Sequence, residues 1–392
     1  MRFVVCRHPQ VRVPWFVVLL SAVFGCSSEA APLRQPSPLE QRERSSGVQG
    51  VAAGRAVQAP AGEATTAQVW TPAKVKGLIG RLPTTMARPD GPVSEAQVEL
   101  GRYLYYDTRL SKNHDISCNT CHNLGDYGID RRSPLKTSRG HGDQVGVRNS
   151  PTVYNAALHH MQFWDGRAVD VEEQAKGPIL NPVEMAMPDE ATVLATLRSI
   201  PGYRSLFKAA FPEDGEPINY DNVGRAIGAF ERNLVTPAPI DAWLGGEASA
   251  LSAQQVRGLQ VFVESGCGSC HSGPAIGGRM YQKLGLIRPY PTGDEGRAAI
   301  TGSAADKYVF KVPSLRNVAV TAPYLHDGSV DTLQEAVAIM VRHQTSKAAL
   351  SETEMADLLA FLKSLTGQLP IDYIRPPAKL PSGPKTPAPD PT

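Results

Sequence analysis

The sequence predicts a mainly α-helical fold in two halves, and two observations carry that prediction. Apolar residues recur at helical spacing in six segments, and one pentapeptide pattern, Cys-x-x-Cys-His, occurs twice, each time after one of those segments. Few segments show the sustained alternation of apolar and polar residues that is typical of a β-strand. The 42% of hydrophobic residues suffices for a packed interior and excludes wholesale disorder. Forty basic and 38 acidic residues leave a net charge of +2, which does not indicate a nucleic-acid partner.

The N-terminal end predicts export from the cytoplasm. Three arginines precede an apolar run over residues 13–25, and such a run is too short for a membrane-spanning helix of about 20 residues. We therefore expect a signal peptide over residues 1–26. Val23-Phe24-Gly25-Cys26 resembles a bacterial lipobox, although Phe24 fits that motif poorly, so lipidation of Cys26 and ordinary cleavage nearby both stay open. The expected location is the periplasm, with a lipid anchor as the only contact with a membrane.

Composition separates the folded body from its two ends. Residues 27–69 contain no aromatic residue, Ile, Met or Lys, so residues 27–70 are predicted to be a disordered tether. Seven of the last 17 residues are Pro, which predicts an extended tail over residues 374–392 that does not pack. The predicted domains between these ends are residues 71–238 and 239–373.

Each Cys-x-x-Cys-His pattern follows an amphipathic helical segment that begins at a capping Ser, at residues 94–104 and 252–262. This order predicts that the two halves are related by duplication. The other four helical patterns lie at residues 190–199, 221–234, 332–343 and 352–365.

The repeated pentapeptide is the attachment motif of c-type haem. Its two copies are Cys118-Asn119-Thr120-Cys121-His122 and Cys267-Gly268-Ser269-Cys270-His271. Positions i, i+3 and i+4 share one face of a helix, so two thiols can reach the porphyrin vinyl groups while the imidazole reaches the iron. A redox dithiol, a zinc site or plain disulfides would not require a His directly after each pair. We therefore predict two covalently bound haems, with His122 and His271 as axial ligands.

The second axial position on each iron separates an electron carrier from a catalyst, because only an open or openable position permits chemistry. Spacing alone does not choose the ligand. The candidates are Met280, Met340 and Met355 for the second haem, and His114, His141, His159 and His160 for the first.

The order of several segments resembles the bacterial di-haem cytochrome c peroxidases, a family that includes the methylamine-utilisation di-haem enzymes. The resemblance covers residues 73–370. Besides the first attachment motif, it rests on Leu135-Lys136-Thr137-Ser138-Arg139-Gly140-His141, Gln162-Phe163-Trp164-Asp165-Gly166-Arg167, Asn181-Pro182-Val183-Glu184-Met185, Phe310-Lys311-Val312-Pro313-Ser314-Leu315-Arg316-Asn317 and Pro323-Tyr324-Leu325-His326-Asp327-Gly328. A few extra residues at 127–133 depart from the family pattern.

The resemblance implies a role for individual residues. His141 matches the displaceable sixth ligand of the N-terminal haem, and Met340 matches the axial Met of the C-terminal haem. The methylamine-type branch has Tyr at the latter position, so Met favours a peroxidase with one high-potential haem. Glu184 matches the acid/base residue that moves a proton between the two oxygens of peroxide. Gln174 matches a polar residue of the same pocket. Trp164 matches the aromatic residue between the two haems.

The resemblance also implies one Ca²⁺ between the two haem domains, held by the Asn149 side chain, the carbonyls of Thr321 and Pro323, and water. It further implies a homodimer and a small cytochrome c or copper protein as electron donor. The predicted activity is reduction of hydrogen peroxide to water. Two rivals stay open, an electron-transfer protein without peroxidase activity and a methylamine-type oxidase that acts on a protein partner.

Overall fold

The structure is a computed structural model that describes residues 70–88, 91–132 and 136–392. The predicted signal peptide and residues 27–69 of the tether lie outside the described residues. The described part contains twelve α-helices and two short strands. The helices are α1 Pro72–Val75, α2 Glu95–Tyr106, α3 Cys118–Cys121, α4 Val171–Leu180, α5 Glu190–Ser199, α6 Pro201–Ala210, α7 Tyr220–Glu231, α8 Pro239–Leu244, α9 Ala253–Glu264, α10 Ala298–Thr301, α11 Leu333–Gln344 and α12 Glu352–Lys363.

The prediction of a mainly α-helical chain is confirmed. The six predicted helical segments correspond to α2, α5, α7, α9, α11 and α12, and Ser94 and Ser252 cap α2 and α9 as expected. The helices that the pattern missed include α4, α6 and α8. Helix α4 contains Gly177-Pro178, which weakens the local helical pattern. The two strands, β1 Tyr281–Lys283 and β2 Val309–Lys311, pair antiparallel with Tyr281 opposite Lys311.

Two helix pairs organise the two halves in the same way. Helix α2 packs on α7 in the first half, and α9 packs on α12 in the second. A glycine lies at each crossing: Gly101 faces Ala226 and Phe230, and Gly258 faces Asp357 and Phe361. A Cβ atom on either glycine would overlap the backbone carbonyl of the facing helix. The close approach of each helix pair therefore depends on glycine.

We expect Gly258→Ala to destabilise the protein despite the better helix propensity of Ala. Ala is favoured over Gly by about 1 kcal/mol in a helix interior, but its Cβ would have to push α12 away, and overpacking costs about 1–3 kcal/mol. The measurement is the midpoint of chemical unfolding of the holoprotein. Gly215→Ala is the matched control, because a Cβ there meets nothing within 4 Å. Equal midpoints for the two variants would contradict this packing argument.

Each helix pair lies in its own hydrophobic core. The start of the described chain packs into the core of the second half, and the end of the chain packs into the core of the first half, so the two ends exchange cores. Val75 and Ile79, from the start of the described chain, are buried in the core around α9 and α12. Ile374, near the end of the chain, is buried in the core around α2 and α7. The predicted boundaries 71–238 and 239–373 therefore do not follow the cores at either end. Sequence order did not reveal this exchange, because it is made by apolar contacts distant along the chain.

The Pro-rich tail differs from the prediction of a segment that does not pack. Arg109 donates to the Pro381 carbonyl at 2.6 Å, and the Asp390 amide donates to the Lys112 carbonyl at 2.9 Å. Pro381 also lies against Gly202 of α6. The tail has no helix or strand, as Pro predicts, but it lies along the first half through one carbonyl that accepts from Arg109, one amide that donates to Lys112 and the contact of Pro381 with Gly202.

No helix in the described residues is both long and apolar enough to cross a membrane.

Candidate active site

Both attachment motifs adopt one helical turn. Helix α3 is the first motif, and a 3₁₀ turn at Cys267–Ser269 begins the second. In each motif the amide of the His donates to the carbonyl of the Cys four residues earlier, at 2.9 Å. The four cysteines of the two motifs are not paired as disulfides. Burial raises the pKa of Cys121 and of Cys267 to about 11.

The two motif histidines are neutral imidazoles. Burial lowers the pKa of His122 below its ordinary value and that of His271 to about 4. Nδ1 of His271 lies 3.2 Å from the Pro313 carbonyl, so Nδ1 carries the hydrogen and Nε2 keeps the lone pair that a metal requires. Nδ1 of His122 is buried without a hydrogen-bond partner in the described residues.

A cavity adjoins the first motif. It comprises two adjoining spaces that share His122, Ser150 and Glu184 among their lining residues. The cysteines of the first motif line the smaller space, and Trp164 and Gln174 line the larger. The fold thus brings Cys118, Cys121, His122, Trp164, Gln174 and Glu184 to one place, although they span residues 118–184.

Glu184 is held by the turn that follows α4. The Glu184 amide donates to the Asn181 carbonyl at 2.9 Å, and the next amide, of Met185, donates back to the Pro178 carbonyl at 3.2 Å. Oε2 of Glu184 is buried and has no hydrogen-bond partner in the described residues. Burial raises the pKa of Glu184, while Asn181 and Arg167 lower it in part. A carboxylate with a raised pKa beside a cavity has the properties of a proton relay.

The His141 segment is joined to the Glu184 turn through the backbone. The His141 amide donates to the Glu184 carbonyl at 2.7 Å, and Gly140 lies so close to Val183 and Glu184 that a Cβ would overlap them. The His141 side chain is buried, with Nδ1 unpartnered, but His141 is not among the residues lining the two described spaces. Its role as a displaceable ligand stays a prediction.

Trp164 connects the cavity to the second half of the chain. Its indole Nε1 donates to the Asn149 carbonyl at 2.9 Å, and its own carbonyl accepts from the Lys311 amide at 2.8 Å. Its ring meets the buried His326 ring edge to face, with centroids 6.4 Å apart. Gly166, at φ 71°, completes the turn that presents Trp164, and a Cβ there would overlap the Tyr281 ring.

Met340 lies on α11 and is half-buried. Its helical neighbours Val337 and Val341 are buried in the second core, against which Cys267 and Met355 also pack. The amide of Val312 donates to the Met280 carbonyl at 2.9 Å. The role of Met340 as a ligand stays a prediction.

The predicted calcium ligands partly converge. Nδ2 of Asn149 lies 2.7 Å from the Pro323 carbonyl, so this amide donates where the predicted site requires its oxygen to coordinate a cation. Turning the amide by half a rotation would direct Oδ1 to the same place. Among the described residues, no group of three or more His, Cys, Asp or Glu side chains could hold a metal ion. A calcium site here would therefore depend on amide and carbonyl oxygens.

Three charged residues of the cavity were not predicted from the sequence. Arg148 pairs with Asp165 and Asp294 and lines both spaces. Arg167 lies over the Phe163 ring, 3.4 Å from its centroid. The third, Glu231, ends α7, and burial, with a smaller contribution from Glu172, raises its pKa to about 8. Arg167 ends a segment on which the resemblance rests, and Arg148 precedes the predicted calcium ligand Asn149. No local pattern marks Glu231, which tertiary contact alone brings to the cavity.

The residues of this cavity fit a covalently bound haem. The Cys118 and Cys121 thiols and the His122 imidazole lie in one lining, and Oε2 of Glu184 is buried in the same lining without a hydrogen-bond partner in the described residues. Two thiols and one imidazole suit two thioether bonds and one Fe–N bond. A tetrahedral zinc site would need further ligands, and the described residues contain no group of three or more His, Cys, Asp or Glu side chains that could hold a metal ion.

Comparison with known proteins decides the family. Residues 95–249 match the family model of the di-haem cytochrome c peroxidases. Cytochrome c551 peroxidase of Pseudomonas aeruginosa is 48% identical over 301 residues, which cover 75% of this chain and 86% of the relative. The chain belongs to the di-haem cytochrome c peroxidase family. The predicted resemblance is thereby confirmed, as is the prediction of an oxidoreductase of the cytochrome c peroxidase class.

More distant members share the same architecture. Methylamine utilization protein MauG of Methylorubrum extorquens is 34% identical over 300 residues, covering 74% of this chain and 83% of the relative. The crystal structure of a MauG-like protein associated with microbial copper homeostasis superposes with a TM-score of 0.66 at 32% identity, covering 76% of this chain and 97% of that one. The di-haem family and the two attachment motifs together agree with two haem c groups.

Proposed function

We propose that this protein reduces hydrogen peroxide to water in the periplasm, with electrons from a small cytochrome c or copper protein. The observation that carries the proposal is the convergence of Glu184, Gln174 and Trp164 on the cavity beside the first attachment motif. When bound, the haems supply the redox chemistry, with the C-terminal one receiving single electrons and the N-terminal one reducing peroxide. The overall change consumes one peroxide, two electrons and two protons and releases two waters.

The chain's own residues handle the protons. Glu184 takes a proton from one oxygen of hydrogen peroxide and returns it to the other, which leaves as water. Its unpartnered Oε2 is free to accept that proton, and its raised pKa brings the carboxyl closer to the working pH. Gln174, on α4, offers an amide that orients peroxide against Glu184.

Trp164 provides the path between the two halves. Its backbone and ring contact Asn149, Lys311 and His326, which belong to different halves of the chain. Packed aromatic groups at van der Waals distance support electron transfer without movement of the chain. We propose that Trp164 would lie on the electron path between the two haems when they are bound, and that His141, if it holds its predicted ligand position, would have to leave it to admit peroxide.

Matched features in the two halves support their origin by duplication. Gly101 and Gly258 make the same helix crossing. Asn155 and Asn317 both adopt a left-handed conformation, at φ 61° and 62°, and both donate from Nδ2 to Thr236. Equivalent contacts at equivalent positions favour two cytochrome c-like haem domains related by duplication, each with its own haem.

The test of the proposed function is a redox-poised absorption and spin-resonance titration of the purified holoprotein, with and without peroxide. We expect two haems per chain, only one of which accepts an exogenous ligand, and consumption of two donor electrons per peroxide. A single haem per chain, or two haems that refuse ligands in every oxidation state, would overturn the proposal. In the second case the protein would be an electron carrier.

We expect Met340→Gln to lower the reduction potential of the C-terminal haem, because a thioether ligand stabilises the reduced iron relative to a harder oxygen or nitrogen ligand. The measurement is a spectroelectrochemical titration of both haems. Met355→Gln is the matched control, since Met355 packs against the core rather than occupying the predicted ligand position. An unchanged potential in Met340→Gln would show that Met340 is not the ligand and would favour the methylamine-type oxidase.

The remaining parts of the proposal concern assembly. We propose one Ca²⁺ bound by the Asn149 side-chain oxygen and the carbonyls of Thr321 and Pro323; this requires the Asn149 amide to turn, because its Nδ2 now donates to the Pro323 carbonyl at 2.7 Å. We also propose a homodimer and, through Cys26, a lipid anchor.

A further inference from the structure

A buried lysine lies between the two halves without a carboxylate partner. Lys311 is 6% exposed, and in the described part of the chain its one hydrogen-bonded side-chain partner is His159, with Nζ 3.2 Å from Nδ1. Burial lowers the pKa of Lys311 to about 8, so the amine is still mostly charged at neutral pH. A buried charge is costly unless an opposite charge or several hydrogen bonds stabilise it.

The lysine also fixes the hydrogen on His159. An ammonium group only donates, so Nδ1 of His159 is the acceptor of this hydrogen bond. Burial, together with Lys311 and His160, lowers the pKa of His159 well below its ordinary value, so the ring is neutral. Its hydrogen is therefore on Nε2, which is buried and has no hydrogen-bond partner in the described residues. The pair thus presents an unused ring N–H beside an ammonium that has further hydrogens to donate.

This donor pair lies beside the second attachment motif. Lys311 precedes Pro313 by two residues, and the Pro313 carbonyl accepts from Nδ1 of His271. The His159 ring lies against Gly278, where a Cβ would overlap it, and the Gly278 amide donates to the Val312 carbonyl at 2.8 Å. On its other side, the Lys311 amide donates to the Trp164 carbonyl. The donors therefore lie where the second haem region meets Trp164.

We infer that Lys311 and His159 bind a propionate carboxylate of the haem attached at Cys267 and Cys270. A carboxylate offers two acceptor oxygens, one for the ammonium and one for the ring N–H, and it supplies the charge that buried Lys311 lacks. The site thereby directs one propionate of that haem toward Trp164. This inference rests on the proposed presence of two haems.

The test compares Lys311→Met with Lys307→Met in the holoprotein. Lys307 is four residues away, exposed and paired with Glu295, so the control removes the same charge from a solvated position. A nearby positive charge favours the reduced haem, so Lys311→Met should lower the reduction potential of the C-terminal haem. We expect the reduction equilibrium to change at least tenfold, which corresponds to 59 mV for one electron. The propionate-bending band in resonance Raman spectra should also shift, and Lys311→Arg should keep both properties near those of the wild type.

Each result separates the possibilities. If Lys311→Met matches Lys307→Met in both potentials and in the propionate band, the inference is wrong. A shift confined to the N-terminal haem would assign the carboxylate to that haem and overturn the assignment to Cys267 and Cys270. If Lys311→Met does not fold, Lys311→Gln takes its place in the same comparison. Lys311→Arg gives a second test, because ¹⁵N labelling of its guanidinium should shift the propionate-bending band only if the arginine contacts the propionate. An unshifted band would contradict the inference. The haem count per chain, measured independently, tests the proposed function itself.

Discussion

Glu184→Gln is expected to lower peroxide turnover by about 10²–10⁴-fold while both haems are still reduced by the donor. Gln keeps the size of the side chain and the backbone bonds that join the Glu184 turn to His141, but it cannot accept a proton. The measurement is kcat for peroxide with a reduced donor, beside a reductive titration of the same sample. Unchanged turnover would remove Glu184 from the mechanism.

The pH profile gives this variant a second readout. The relay needs Glu184 ionised at the start, so wild-type turnover should fall as the pH drops through its pKa, which burial holds above the ordinary value of 4.5. In Glu184→Gln this acidic limb should disappear. Glu190→Gln is the control, since Glu190 is exposed at the start of α5, and it should keep both the rate and the limb.

The largest loss of stability is expected from breaking the buried ion pair of Arg316 and Asp241. The Arg316 side chain is fully buried, and its guanidinium contacts both oxygens of Asp241, at 2.6 and 2.9 Å. Asp241 also accepts from the Leu82 and Ala238 amides. Arg316→Met should cost about 3–5 kcal/mol of unfolding free energy, because it leaves a buried carboxylate without its counter-ion.

Two further variants check the reason for that loss. Arg316→Met combined with Asp241→Asn should recover part of the stability, because the orphaned charge is removed as well. Arg375→Gln breaks an ion pair with Asp372 in which both side chains are exposed, at 69% and 96%, and it should change the unfolding midpoint little. If Arg316→Met were no more harmful than Arg375→Gln in chemical unfolding, burial would not be the cause.

The helices show where sequence reasoning succeeds and where it fails. Helices α2 and α9 were predicted because a capping Ser and apolar spacing act within one turn or two, and the structure has both. Helix α4, which carries Gln174, was missed because Gly177-Pro178 weakens the local pattern while packing against α7 maintains the helix. Glu231 lies in a helix that was predicted, but its place at the cavity depends on how α7 packs, which no local pattern shows.

The sequence by itself determined the mainly helical class and the two haem attachment motifs, because spacing within five residues is enough to present two thiols and an imidazole together. Only the tertiary structure decided which distant residues surround the first motif, how the chain ends exchange cores, and that Lys311 is buried beside His159. Whether a side chain is buried, and whether its charge is paired, depends on contacts between segments that are far apart in the chain. The spacing of neighbouring residues does not predict such contacts.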